Sequence, residues 1–213
     1  MLGSTLTRYT EDDFLCLDTE TEGLNLAVHR PWQIAWALAS TKEVKTIKSA
    51  YIWWPDLCIS EGAAAVTRFD YAAYKAQARP ATEVWEEFSA HLYAPNTRAV
   101  WQNGLRIDIF MLANWARAIG KTIDPAYLFR SIDTDTLSKA KIKGWLPDIA
   151  SPEAWLAWQY KAANYIETGL KTNLAQMGKA EGIEHDYTSL HEATSDILLM
   201  YKVLQKRLWQ VEF

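Results

Sequence analysis

Two carboxylates stand one residue apart where an apolar run ends: Phe14-Leu15-Cys16-Leu17 leads into Asp18-Thr19-Glu20-Thr21-Glu22-Gly23-Leu24. Alternate residues of a strand share a face, so Asp18 and Glu20 project together if the run is extended. Side by side, each raises the other's pKa, and a cation between them relieves the repulsion. An all-oxygen donor pair suits Mg²⁺ or Mn²⁺. Asp-x-Glu alone describes a solvated strand end equally well, so the rest of the chain has to decide. Two further acids, Asp108 and Asp196, fall at expected helix starts. There an acid is also simply favoured by the helix dipole. His191 precedes Asp196 by five residues. An imidazole titrating near neutrality suits a general base, and a surface histidine is the plain alternative. Ser189-x-x-Glu192 reads as a capping box, which puts His191 in the first helical turn. On a regular helix His191 and Asp196 would then diverge by about 140°, so both reach one site only if His191 sits on a loop or a distorted turn.

The elements that must position these residues follow from pattern. Strands are expected at 14–18, 33–39 and 44–54, closely spaced as in an antiparallel meander. Two short strand candidates follow, at 99–101 and 131–133. Helices are expected at 72–78, 80–93, 105–119, 134–142, 170–181 and 189–209, several of them stopped by Pro or Gly. The result is an α/β domain with one five-stranded mixed sheet, an antiparallel meander plus parallel strands, flanked by helices. Residues 144–169 hold Trp155, Trp158, Tyr160 and Tyr165 between prolines and glycines. They read as a Trp-rich helical insertion within a single domain spanning 1–213.

Composition fits a globular chain: 213 residues, 49% hydrophobic and 23% charged, with eleven Trp and ten Tyr. Most of these aromatics are expected in the core. The net charge of −4 excludes a global basic field for nucleic acid, leaving a local patch and metal ions. Two cysteines make no disulfide framework, and no run is long and apolar enough for a membrane span. No signal-peptide core precedes Asp13. The expectation is a cytoplasmic protein without a membrane partner.

In order and context, Asp18-x-Glu20, Asp108 after an Asn-containing turn, and His191-x-Ala193-x-x-Asp196 resemble the three motifs of the DEDDh (DnaQ-like) 3′–5′ exonucleases. Arg30-Pro31-Trp32-Gln33-Ile34 looks like the start of that family's second strand, and Lys179 to His185 is most similar to its exonuclease I branch. The chain departs from the pattern at Gln102, where the family has His, and at Ile107, where it has Phe. Asn103 lies five residues before Asp108, not four, and Thr67-Arg68-Phe69-Asp70 stands for a His-Gly-Ile-Thr-like segment.

The resemblance implies a ribonuclease H-like fold and hydrolysis of single-stranded DNA from its 3′ end to 5′-mononucleotides, in repair or proofreading. It implies two divalent ions held by Asp18, Glu20, Asp108 and Asp196, with His191 taking the proton from the attacking water. Thr19, Thr21, Leu24, Asn103 and Arg106 are its implied substrate contacts. Trp32, Lys139, Lys143, Trp155 and Trp158 are further stacking or phosphate candidates. Only a catalytic domain is matched, so low processivity is expected, or help from a homodimer or a polymerase partner. The alternatives are trimming of RNA ends and a catalytically silent nuclease-fold binding subunit.

Overall fold

The computed structural model describes residues 13–188 and 192–208. β1 (Asp13–Thr21) is the strand around which the sheet is built. Phe14, Leu15, Cys16 and Leu17 are all buried, as expected for a strand covered on both faces. β2 (Pro31–Ala39) runs antiparallel beside β1, and β3 (Val44–Trp53) antiparallel beside β2. Two helices follow, α1 (Glu61–Thr67) and α2 (Tyr71–Gln77). The two-residue β4 (Arg79–Pro80) then pairs with the end of β3, and α3 (Ala81–Leu92) leads to β5 (Thr97–Trp101). β5 lies parallel to β1 on its other side. Next come α4 (Asp108–Ala118), a 3-10 turn (Pro125–Arg130), and β6 (Ile132–Asp133), parallel to β5. α5 (Thr134–Lys143), α6 (Pro152–Ala163), α7 (Leu174–Ala180) and α8 (Ala193–Leu208) complete the described chain.

The sheet has six strands in the order β4-β3-β2-β1-β5-β6. The expected five become six because β4 is too short to show any periodicity. Its Pro80 is tolerated because an edge strand can lack a donor. α1 and the 3-10 turn were also not expected.

Each face of β1 buries its own cluster. Leu15 and Leu17 pack with Trp36, Trp85, Phe88, Trp101, Leu112 and Trp115 under α3 and α4. Phe14 and Cys16 pack with Val100, Leu137, Trp155, Ile197 and Met200 under α5, α6 and α8. The tryptophans are thus largely core. Trp32 and Trp155 are buried and cannot serve as stacking platforms. Trp155 lies on α6, and its indole N–H donates to Ser131 O at 2.8 Å, pinning that helix to the β6 edge. Lys139 is buried too, ion-paired with Asp135 at 2.9 Å, and Lys143 is paired with Glu167.

Two features matter for the site. β1 pairs with β5 only through Cys16, but with β2 as far as Thr21. The sheet therefore splits alongside Asp18 and Glu20. Beyond β5 the chain makes a tight turn before α4, and Gly104 is pressed against Trp101. A Cβ on Gly104 would lie 2.2 Å from Trp101 Cγ, with the Trp101 ring fully buried. The Gly104→Ala variant is expected to lose about 1–3 kcal/mol by overpacking. Urea denaturation checks this. An unchanged midpoint would mean the turn yields without cost.

Candidate active site

β1 carries Asp18 and Glu20 past the point where β5 leaves it, and α8 brings Asp196 in its first turn to the same place. One carboxylate oxygen from each of Asp18, Glu20 and Asp196 lies within 4.8 Å of the others. Asp108, in the first turn of α4, joins from the opposite side of β1. Thr19 Oγ1 donates to its Oδ1 at 2.6 Å.

Electrostatics follow from burial and crowding. Burial, then the charges of Glu20, Asp108 and Asp196, push Asp18 well above the usual carboxylate range. Burial, then Asp196 and Asp108, push Glu20 up to about 8. Burial raises Asp108 to about 6, against the lowering effect of the Thr19 hydroxyl. Among the described residues no Lys or Arg pairs with Asp18, Glu20 or Asp108. The donor set is all oxygen and close together, which fits a hard divalent cation.

The pocket over this cluster has a volume of about 540 Å³. Thr19, Thr21, Gly23 and Leu24 form one wall, and Ser60, Gly62, Ala63, Val66 and Thr67 of the α1 region form another, with Gln102 and Ile107 also lining it. Leu24 and Val66 present apolar side chains, 76% and 53% exposed. The hydroxyls of Thr19 and Thr21 are committed to the frame, that of Thr21 donating to Gly23 O at 3.0 Å.

The structure thus brings together Asp18, Glu20, Asp108, Asp196, Thr19, Thr21 and Leu24. Asn103 and Arg106 do not join them and line a neighbouring cleft instead. The reason is the turn: Asn103 adopts a left-handed conformation, φ 60°, and the chain reverses there, leaving Gln102 and Ile107 toward the acids. His191 lies outside the described residues, as does most of the expected capping box. Among the described residues α8 runs from Ala193.

Two framing residues went unnoticed in the sequence. Asp133 is fully buried; its carboxylate accepts from the N–H groups of Asn103 (3.0 Å), Leu105 (3.2 Å) and Asp135 (2.9 Å). It therefore holds the turn that delivers Asp108. Glu22, also buried, accepts from Arg30 N–H at 2.8 Å and its guanidinium at 2.7 Å, and from Cys58 N–H at 3.3 Å, tying the Leu24 loop to the approach to α1. α1 was missed as well. Its signal was Ser60, whose hydroxyl accepts from Ala63 N–H at 3.2 Å, ahead of an alanine run.

A mixed sheet that splits beside an acid-bearing central strand, with helices bringing in further acids, is an α/β ribonuclease H-like fold. Solved structures similar to the chain include those of exonuclease I. The E. coli enzyme in complex with a dA16 oligonucleotide matches with a TM-score of 0.70 at 18% identity, over 94% of this chain and 42% of that one. Its zinc-bound complex with single-stranded DNA matches at 0.72 and 20%, over the same shares. A product-bound exonuclease I matches at 0.70 and 19%, over 94% and 45%. The chain therefore spans less than half of these proteins, and the likeness establishes the fold. No family model and no curated protein sequence matches the chain. Among the described residues no helix is long and apolar enough to cross a membrane.

The raised pKa values set the sign of a pH effect. An acid whose folded pKa lies above its unfolded value destabilises the fold once it ionises. The metal-free protein is therefore expected to lose stability as pH rises, from 4.5 to about 8 for Glu20 and from 3.8 to about 6 for Asp108. Melting in chelator should be lower at pH 8 than at pH 5, and Mg²⁺ should raise it mostly at pH 8. Glu20→Gln should melt above the unsubstituted protein in chelator at pH 8 and respond less to Mg²⁺. Equal melting of the two proteins in chelator at pH 8 would refute the account.

Proposed function

We propose that the chain is a metal-dependent 3′–5′ exonuclease acting on single-stranded DNA and releasing 5′-mononucleotides. The observation that carries this is the Asp18, Glu20 and Asp196 cluster, whose carboxylate oxygens lie within 4.8 Å of one another, with Asp108 beside it. Asp18, Glu20, Asp108 and Asp196 would hold two divalent cations, Mg²⁺ or Mn²⁺. Bound there, such ions supply charge stabilisation at the scissile phosphate and lower the pKa of water.

The chain's own residues do the rest. Thr19 fixes the orientation of Asp108 through its hydroxyl. Leu24 and Val66 offer apolar surface on which the 3′-terminal base packs. His191, next to α8 in sequence, takes the proton of the attacking water in this reading. The exonuclease I structures that share the fold hold single-stranded DNA, which supports a DNA strand as the substrate.

The test uses 3′-labelled single-stranded DNA and RNA of one sequence, with Mg²⁺ or Mn²⁺. The expected result is release of the terminal mononucleotide from DNA. Asp18→Asn and His191→Ala should each lower the rate at least a hundredfold, while Asp18→Asn keeps the fold by circular dichroism. Faster release from RNA would move the substrate to RNA. Release from neither, with the strand still bound, would leave a silent binding subunit.

A further inference from the structure

Leu24 borders the acidic pocket with its side chain 76% exposed, so packing does little to hold it there. Its place is set by the backbone of the loop that follows. The N–H of Asn25, which belongs to the Leu24–Asn25 peptide, donates to His29 Nδ1 at 3.0 Å. Asn25 O accepts in return from the N–H groups of Val28 at 3.2 Å and His29 at 2.9 Å, and Asn25 Oδ1 accepts from Ala27 N–H at 3.2 Å. The loop is a turn closed on Asn25, and the imidazole closes it at the Leu24 end. Its other end is anchored on α4, where Asn114 Nδ2 donates to Leu26 O at 3.1 Å and to His29 O at 2.7 Å. The His29 ring also lies against Gly23: a Cβ there would come within 2.7 Å of Nδ1 and 2.9 Å of Ser60 Oγ, which caps α1. The ring therefore joins the anchored end of the loop to the end that carries Leu24.

An imidazole nitrogen accepts a hydrogen bond only while it carries no proton. The Asn25 bond therefore requires the neutral ring with its proton on Nε2. A second proton, on Nδ1, would set two N–H groups against each other and break the bond. The charged groups on the surrounding elements are Glu22 just after β1, ion-paired with Arg30 at 2.7 Å, and Asp56, paired with Arg30 at 2.9 Å. Glu61 in the first turn of α1 is exposed, and Arg117 of α4 donates to Ala27 O at 3.4 Å. Among the described residues none of them makes an ion pair with His29, so a charged ring gains no partner for the bond it loses.

We propose that His29 is a positioning residue for the substrate end: as the neutral imidazole it holds the Leu24–Asn25 peptide and so aims Leu24 at the terminal base, and its protonation releases Leu24 and weakens binding. The proposal rests on the nuclease reading above and deepens it with a regulation of the same site. The sign follows from the bond. The binding-competent loop is fully populated at high pH and is lost as pH falls through the range where imidazoles titrate, and apparent affinity falls with that fraction.

The test is steady-state hydrolysis of 3′-labelled single-stranded DNA at saturating Mn²⁺, between about pH 8 and pH 5.5 to bracket imidazole titration. It compares the unsubstituted protein with His29→Asn, which keeps an acceptor oxygen near the place of Nδ1 and does not protonate, and with His29→Leu, which offers no acceptor. The carboxylates titrate in all three proteins, so His29 is read from ratios. The KM of the unsubstituted protein relative to that of His29→Asn is expected to rise about threefold or more as pH falls, with the kcat ratio steady within about twofold. The KM of His29→Leu should lie about threefold or more above that of the unsubstituted protein at the higher pH and converge with it at the lower. Imidazole ¹⁵N signals give a readout independent of activity, and the neutral ring is expected to carry its proton on Nε2. A flat KM ratio, an unchanged KM in His29→Leu, or a neutral ring protonated on Nδ1 overturns the role of His29 alone. No hydrolysis by the unsubstituted protein at the higher pH overturns the nuclease reading with it.

Discussion

Like-charge repulsion at the split in the sheet is the constraint on which the rest of the structure depends. Asp18, Glu20, Asp108 and Asp196 converge where water is scarce, and their mutual charges add to desolvation in raising the pKa values of Asp18 and Glu20. Such a cluster persists only if the surrounding fold prevents the acids from swinging apart. β1 meets that demand because it is buried on both faces, with tryptophan-rich packing beneath Leu15 and Leu17 and helix packing over Phe14 and Cys16. Strand, two faces and helix starts hold the acids together, and in the proposed reading a divalent cation would relieve their repulsion.

The same logic appears a layer further out, solved differently. Asp133 and Glu22 are both buried carboxylates that accept several backbone N–H groups, and each fixes a loop bordering the acids. Glu22 has the Arg30 guanidinium at 2.7 Å to balance its charge, and Arg30 in turn lies 4.5 Å over the Trp54 ring. Asp133 has only N–H dipoles, and burial and the Asp135 charge push its pKa up to about 7. Its backbone N–H is held in turn by Gln159 of α6 at 2.8 Å. A helix remote from the acids thereby stiffens the turn that delivers Asp108. Residues 144–169 contribute through such support and by lining, with Tyr165, Ile166 and Glu167, the cleft that neighbours the acids.

Much of this was legible in the chain, for stated physical reasons. Strand order β3-β2-β1 followed from short connections between apolar runs, and the parallel addition of β5 and β6 from the intervening helices. Asp18 and Glu20 were legible as a pair on one strand face, while the set of four acids came from the resemblance of the three motifs taken together. Features carried by two or three residues were not. β4 has no period to detect, α1 contains a glycine that masks its alanine run, and α4 starts three residues later than its apolar pattern because the turn before it is held by a residue thirty positions away.

The sequence by itself determined β1 and the shared face of Asp18 and Glu20, because burial and alternation are local properties of a strand, whereas Asp108 and Asp196 were singled out through the resemblance to the DEDDh exonucleases. It also determined that most tryptophans belong to the core, since large apolar side chains leave water wherever the fold permits. Only the tertiary structure decided which polar residues face the acids. Asn103 and Arg106 sit in sequence beside Asp108, yet a left-handed residue and the distant Asp133 carboxylate direct them into another cleft, while Gln102 and Ile107 take their place. Direction in a turn depends on hydrogen bonds from elsewhere in the chain, and no local pattern of residue types encodes those.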